Sequence, residues 1–131
     1  MTRTLSLAIA ALLGMSGTAL SAGKIKAPSP EQLEKGKGLF TVNCVPCHGE
    51  KGDGSGPAAV ALNPKPRNFA KEPFKQGTKP DEVFKSISTG VKDTPMVGFA
   101  HLSEEDRWAL THWVLTMVPQ SGKAGGKKKG K

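Results

Sequence analysis

Apolar side chains recur every three or four residues in three stretches of the chain, which predicts three amphipathic helices. The first follows Ser29, an N-cap residue with a proline directly after it and a glutamine three places on. This helix should run to about Asn43, with Leu33 and Phe40 on its apolar side. Gly36 lies on the same side at a cost of roughly 1 kcal/mol against Ala, so we expect another backbone to approach it closely.

The second and third stretches have clear end signals. The second helix is predicted at Thr78–Ser88, with Gly90 placed as its C-terminal stop. The third opens at Ser103, carries acidic residues through its first turn, where they suit the positive end of the helix dipole, and ends before Pro119. Its buried face should comprise Leu110, Trp113, Val114 and Met117. No stretch shows the alternation typical of a strand, so an all-α fold is predicted.

Residues 49–79 are rich in Gly, Pro and Lys and predict a long loop, with one turn of helix at Ala58–Leu62. A loop of this length is uncommon in a compact domain unless something organises it. The chain is also weakly apolar, with 37% hydrophobic residues among 131. Because small domains with thin cores often depend on a metal, a disulfide or a cofactor, a central prosthetic group would explain both features.

The first 22 residues are predicted to be a secretory signal peptide. An apolar run from Leu5 to about Met15 follows Arg3 and precedes small residues up to Ala22. This run is shorter than the ~20 residues of a membrane span, although an uncleaved anchor is the alternative. Residues 23–28 would then be a linker and residues 29–119 a single domain. We expect the mature protein to be soluble in the periplasm.

The net charge of +8 is unevenly distributed, because five lysines lie in the closing segment, residues 120–131. This segment has no large apolar residue and is expected to be a disordered tail. Such a tail either serves solubility or attracts an acidic protein surface or an anionic membrane. No glycine loop of the dinucleotide or phosphate type is present, and we expect no nucleic-acid partner.

The only two cysteines of the chain, Cys44 and Cys47, are followed directly by His48. This CxxCH pattern is the attachment signal of a c-type haem, because two thiols one helical turn apart can reach both vinyl groups of a porphyrin. A redox dithiol would need a βαβ pattern, and a zinc site would need His101 or His112 at an unusual spacing. A disulfide between the two cysteines would be sterically tight. Haem attachment is therefore the favoured interpretation.

Further features around this motif extend the pattern over residues 29–118. Gly36 and Phe40 precede the segment CVPCH at a specific spacing, Gly56 and Pro57 follow it in a glycine-rich loop, and a later loop contains TPM. The last helix carries the segment WALTHWVLTM. Together these features resemble the class I monohaem cytochromes c of the exported bacterial type.

The resemblance implies a cytochrome c fold, in which three to four helices and long loops wrap around one covalently bound haem c. In that family the first and last helices cross with a glycine at the contact. Gly36 should therefore face the surface formed by Leu110 and Trp113.

His48 is expected to be the proximal iron ligand, with its outer ring nitrogen donating a hydrogen bond to a carbonyl. By resemblance that carbonyl belongs to Pro57. Met96 is expected to be the distal ligand, because it lies in a loop outside any helical face, whereas Met117 has the spacing of a core residue. His101 is the rival distal ligand, with a surface position as its ordinary interpretation.

Several other residues are candidates for weaker roles. Those expected along the lower haem edge are Asn63, Pro64, Pro66, Arg67 and Phe69, with the Arg67 side chain either bonded to a propionate or solvated. Further candidates for the core or the haem wall are Phe40, Leu62, Phe84, Phe99 and Leu102. Lysines that could surround a docking site are Lys65, Lys71, Lys75 and Lys92.

These expectations lead to a monomeric one-electron carrier, not an enzyme, that serves redox proteins with acidic docking surfaces. Six-coordinate iron would leave no open site for a substrate. One alternative is a haem-bearing subunit of a larger oxidoreductase. Another is a gas-sensing or peroxidatic haem protein, which would require Met96 to be absent from the iron or labile.

Overall fold

The computed structural model of the chain describes residues 27–119. The predicted signal peptide and the predicted tail therefore lie outside the described residues, as does most of the linker. Within residues 27–119 the fold contains helices and loops and no strand, so the all-α prediction is confirmed. The helices are α1 (Pro30–Asn43), α2 (Val45–His48), the 3₁₀ helix Pro57–Ala61, α3 (Pro80–Thr89) and α4 (Glu104–Met117).

Helix α1 begins where the capping signal places it. The backbone N–H of Gln32 donates to the Ser29 hydroxyl at 3.3 Å, and the Ser29 N–H donates to the Gln32 side chain at 3.0 Å. These two bonds satisfy donors that the first turn of a helix would otherwise leave unpaired. The start and the end of α1 agree with the sequence prediction.

Helices α1 and α4 meet at Gly36, where the backbones approach closely. A Cβ atom built on Gly36 would lie 2.1 Å from the Ala109 carbonyl oxygen and 2.9 Å from Trp113 Cβ. The predicted close approach is confirmed, with the Ala109 backbone as the nearest partner. Beside this contact the Lys35 ammonium lies 2.9 Å from Glu105 and 2.8 Å from Asp106, which links the two helices at the surface.

Helix α3 begins at Pro80, two residues later than predicted, because Lys79 has an extended backbone and its N–H donates to the Glu82 carboxylate at 2.9 Å. The helix ends before Gly90, as predicted. Gly90 has a positive φ of 76°, a conformation that favours glycine. This turn directs the chain into the loop of residues 91–99.

The hydrophobic core lies between α1, α3 and α4. Its buried members are Phe40, Phe69, Val83, Ile87, Leu110 and Val114. On α4 the predicted Leu110 and Val114 are buried, but Trp113 and Met117 are only partly so, whereas Ala109 and Thr111 are fully covered. None of the helices within residues 27–119 is long and apolar enough to cross a membrane.

Candidate functional site

An apolar cavity of about 340 Å³ opens between the helices and the two long loops, which is a typical volume for a ligand site. Six parts of the chain line it: the end of α1, helix α2, segment 62–76, the inner face of α3, loop 91–99 and Val114 of α4. The apolar side chains around it include Phe40, Leu62, Phe69, Ile87 and Phe99. The long loop of residues 49–79 thus contributes one wall of this cavity.

The CxxCH motif forms the short helix α2, which sequence patterning did not predict as a separate helix. The backbone N–H groups of Cys47 and His48 both donate to the Cys44 carbonyl, at 3.1 and 2.8 Å. This turn brings both thiols and the imidazole to the wall of the same cavity. No disulfide joins the two cysteines.

The environment of Cys44 suits a thioether better than a thiolate. Burial, and to a smaller extent the neighbouring Cys47, raises the pKa of the Cys44 thiol to about 12. Redox dithiols and zinc sites act through the thiolate, which this environment disfavours. A thioether carries no charge and loses nothing on burial. The donor set therefore fits covalent attachment of a porphyrin.

His48 is held neutral and oriented by segment 66–69. Burial lowers its pKa, although the Arg67 carbonyl raises it and the Arg67 charge lowers it further. Its Nδ1 lies 3.4 Å from the Arg67 carbonyl oxygen, so Nδ1 can hold the proton while Nε2 keeps its lone pair for a metal.

The carbonyl that faces Nδ1 in this structure is thus that of Arg67, whereas the sequence prediction named Pro57. Pro57 is exposed at the start of the 3₁₀ helix and does not line the cavity. Segment 66–69 reaches His48 because the glycine loop brings the two together. The Gly54 N–H donates to the His48 carbonyl at 2.8 Å, and a Cβ on Gly54 would lie 2.4 Å from the Pro66 carbonyl oxygen.

Met96 lines the cavity from loop 91–99, as expected for a ligand delivered by a loop. The loop is anchored on both sides of this residue. The Met96 N–H donates to the Thr94 hydroxyl at 3.2 Å, its carbonyl accepts from Val91 at 3.0 Å, and the Phe99 N–H donates to Ile87 at 2.8 Å.

The rivals of Met96 lie elsewhere. Met117 does not line the cavity, and its sulfur would lie 2.9 Å from a Cβ atom built on Gly52. His101 is exposed, with its ring tilted against Phe99 at 5.8 Å. His112 stacks on Trp108 at 5.9 Å on the outer side of α4.

The other candidates separate into cavity residues and surface residues. Pro64, Pro66, Arg67 and Phe69 line the cavity as expected for the haem edge, whereas Asn63 does not. Phe84 and Leu102 also lie outside the lining, and Phe84 stacks on Trp108 at 4.3 Å. Polar cavity residues that the sequence did not single out are Asn43, Glu72, Gln76, Ser86 and Thr94. Their scattered positions carry no periodic signal.

Two basic side chains near the cavity are already engaged. The Arg67 guanidinium donates to the Pro73 carbonyl and lies 3.8 Å from Glu72, which leaves it tied to its own loop. The Lys65 ammonium donates to the carbonyls of Ala59 and Val60, both at 2.8 Å. It therefore caps the end of the 3₁₀ helix, where a cation is favoured.

These residues fit a covalently attached haem: two thiols, a neutral imidazole and a thioether border one apolar cavity. The family model of cytochrome c matches residues 33–118. The chain belongs to the cytochrome c family. The family implies a covalently bound haem c, which supplies reversible one-electron chemistry at its iron when bound.

This cytochrome c is similar in sequence and structure to a chain of a solved protein complex. No curated protein matches the chain. A chain of the reducing HAO-like protein complex of Kuenenia stuttgartiensis is similar in structure, with a TM-score of 0.67 and 35% sequence identity. The match covers 73% of this cytochrome and 48% of that chain, so this cytochrome spans about half the length of the relative.

Proposed function

We propose that this cytochrome is a one-electron carrier with a single haem c, ligated by His48 and Met96. The observation that supports this most directly is that Cys44, Cys47, His48 and Met96 all line the same apolar cavity. Haem iron with four porphyrin nitrogens and two protein ligands would have no open position for a substrate, so electrons would pass through the haem edge. The apolar walls exclude water and so limit the reorganisation that accompanies each transfer.

Ligation by Met96 would favour the reduced state. A thioether is a soft, neutral ligand, and His/Met ligation raises the reduction potential. Two backbone hydrogen bonds and one to the Thr94 hydroxyl hold the loop that carries Met96. A ligand on an anchored loop is less readily displaced by an external molecule.

The test is to replace Met96 and Met117 separately by alanine in the holoprotein. We expect Met96→Ala to abolish the long-wavelength ferric absorption band of sulfur ligation and to lower the potential. Met117→Ala should keep both properties and lose only stability, because Met117 packs beside Gly52 away from the cavity. Loss of the band in Met117→Ala, or ready binding of carbon monoxide by the ferrous wild-type protein, would refute the assignment.

The carrier would work in the periplasm, exported by the segment of residues 1–22. Its partners would be redox proteins with acidic docking surfaces, and the attraction would come mainly from the termini. All 11 acidic residues of the chain lie within residues 27–119, whereas eight of the 19 basic residues lie outside this range. The described part of the chain therefore has balanced charge, and Lys65 is engaged within it.

Truncation after Gln120 tests the contribution of the tail to docking. We expect the truncated monomer to react more slowly with an acidic flavodoxin as reductant, and with a weaker dependence on salt, because electrostatic steering is screened by salt. Equal rates and equal salt dependence would contradict the role. Binding to phosphatidylglycerol vesicles lost on truncation would instead assign the tail to a membrane surface.

A second candidate function is a haem-bearing subunit of a larger oxidoreductase. The similarity to a chain of the HAO-like complex favours it. Size exclusion of native extract, followed by haem absorbance, separates the two. A carrier should elute as a monomer no larger than about the 13.8 kDa of the full chain, whereas a subunit should elute with a much larger assembly.

A further inference from the structure

The Phe69 ring lies against one face of the His48 imidazole. The ring centroids are 4.6 Å apart and the planes differ by 30°, which is a stacked arrangement. Phe69 is 7% exposed, so it is a core residue and not a surface ring that happens to touch the histidine. Stacked rings attract each other beyond the effect of burying their surfaces, so this contact favours one orientation of the imidazole.

A histidine that binds a metal through Nε2 keeps one rotation, about the bond from nitrogen to metal. Within the range that its own backbone allows, a hydrogen bond at Nδ1 and packing against the ring face can both fix this rotation. In this cytochrome the distance from Nδ1 to the Arg67 carbonyl is 3.4 Å, longer than the usual ~2.7–3.2 Å of such bonds. The hydrogen bond is therefore a weak constraint, and the stacked ring is the stronger one.

Phe69 is itself held in place from several sides. Its N–H donates to the Gly52 carbonyl at 2.8 Å. Gly52 has a positive φ of 64°, and a Cβ atom there would lie 2.4 Å from the Phe69 ring, so only glycine lets the loop close behind the ring. The rings of Phe40 and Phe74 lie 6.3 and 5.4 Å away and pack against it on two further sides.

We propose that Phe69 is a positioning residue that sets the rotation of the His48 ring about its bond to the iron, and thereby the electronic state of the haem. The inference rests on the proposed ligation by His48. The plane of an axial imidazole determines how unpaired electron density is distributed over a ferric porphyrin. A change in ring rotation therefore appears in the spectrum even when ligation is intact.

The test compares Phe69→Leu with Phe74→Leu in the full-length holoprotein. Both substitutions remove a ring that lines the cavity and belongs to the same cluster, but the ring that stacks on His48 is that of Phe69. Both variants should unfold at lower temperature. Only Phe69→Leu should redistribute the haem-methyl proton shifts of the ferric form, change its electron paramagnetic resonance anisotropy and shift the reduction potential. Phe69→Tyr keeps the stacked ring and should restore the wild-type spectra.

The proposal is overturned if the two leucine variants give the same spectra, or if Phe69→Tyr resembles Phe69→Leu. Should Phe69→Leu fail to mature, Phe69→Met retains apolar bulk without a ring and serves the same comparison. Failure of the ligation itself would look different. If His48 is not the ligand, His48→Ala would keep the wild-type low-spin spectrum. If only the positioning role fails, His48→Ala would lose that spectrum while the Phe69 variants keep the wild-type spectra.

Discussion

Gly36→Ala should destabilise this cytochrome, although alanine is the better helix former. The added Cβ atom would lie 2.1 and 2.7 Å from the carbonyl oxygen and carbon of Ala109, whereas carbon atoms in contact normally lie ~3.5–4.0 Å apart. The obstructing atoms belong to a helix backbone and cannot rotate away. Helices α1 and α4 must therefore move apart, which opens gaps between the core residues they share.

The magnitude follows from two opposing effects. Overpacking of a core costs typically about 1–3 kcal/mol, and an overlap of more than 1 Å with a backbone belongs at the upper end. Replacement of glycine within a helix recovers roughly 1 kcal/mol. The net loss should be about 2 kcal/mol, which lowers the midpoint of thermal unfolding by roughly 8–16 °C in a domain of this size.

Gly38→Ala is the matched control on the same helix, because no atom lies within 4 Å of a Cβ at that position. It should raise stability by up to about 1 kcal/mol. Both variants are measured as holoproteins, with circular dichroism and haem absorbance followed during unfolding. Equal stability of the two variants would show that the α1–α4 contact does not require glycine and would refute the reasoning.

Three further predictions concern separate parts of the fold. Asp106→Asn should make the free energy of unfolding fall less steeply as the pH is lowered. The hydrogen bond from Lys35, followed by that from the Ser103 hydroxyl, lowers the Asp106 pKa. The stability that Asp106 provides is therefore present above its unfolded pKa and is lost as pH falls through the lower folded pKa. Ser29→Ala should cost about 1 kcal/mol in chemical unfolding, because it removes the N-cap of α1. Thr94→Val removes the hydroxyl that accepts from the Met96 N–H, so the absorption band of sulfur ligation should disappear at a lower temperature than in the wild-type protein.

Each of these has an outcome that would contradict it. The Asp106 prediction is contradicted if Asp106→Asn and the wild-type protein lose stability in parallel between pH 6 and pH 3. The Ser29 prediction is contradicted if Ser29→Ala has the same midpoint denaturant concentration as the wild-type protein. For the loop, Thr116→Val is the control, because its hydroxyl bonds only to the Trp113 carbonyl on α4. If both threonine variants lose the band at the same temperature, the Thr94 hydroxyl does not anchor Met96.

Local signals predicted the long helices of this protein well. Ser29 and Gly90 mark helix ends through bonds and backbone angles that involve only neighbouring residues. Helix α2 escaped prediction because four residues, one of them a proline, have no periodic pattern. The late start of α3 was missed because the Glu82 side chain, and not a residue preference, caps it.

The site was predictable where chemistry fixes it and unpredictable where the path of a loop decides. The placement of His48 follows from the motif, and Met96 stood out because it lies outside any helical face. The Arg67 carbonyl could not be found, because any residue has a carbonyl and only the turns at Gly52 and Gly54 bring this one to His48. The engagement of Lys65 was likewise hidden, since its carbonyl partners lie on a 3₁₀ helix whose end faces it.

The glycine loop behind the histidine also determines where this protein can be engineered. The loop has no room for even a methyl group at Gly52, Gly54 or Gly56, because each lies against another part of the chain. An inserted peptide or a labelling site in that loop would therefore push segment 66–69 away from His48. The turn at Ala70 and Lys71 is exposed, so a surface tether or an electrode linker attached there would leave the glycine loop and its contacts unchanged.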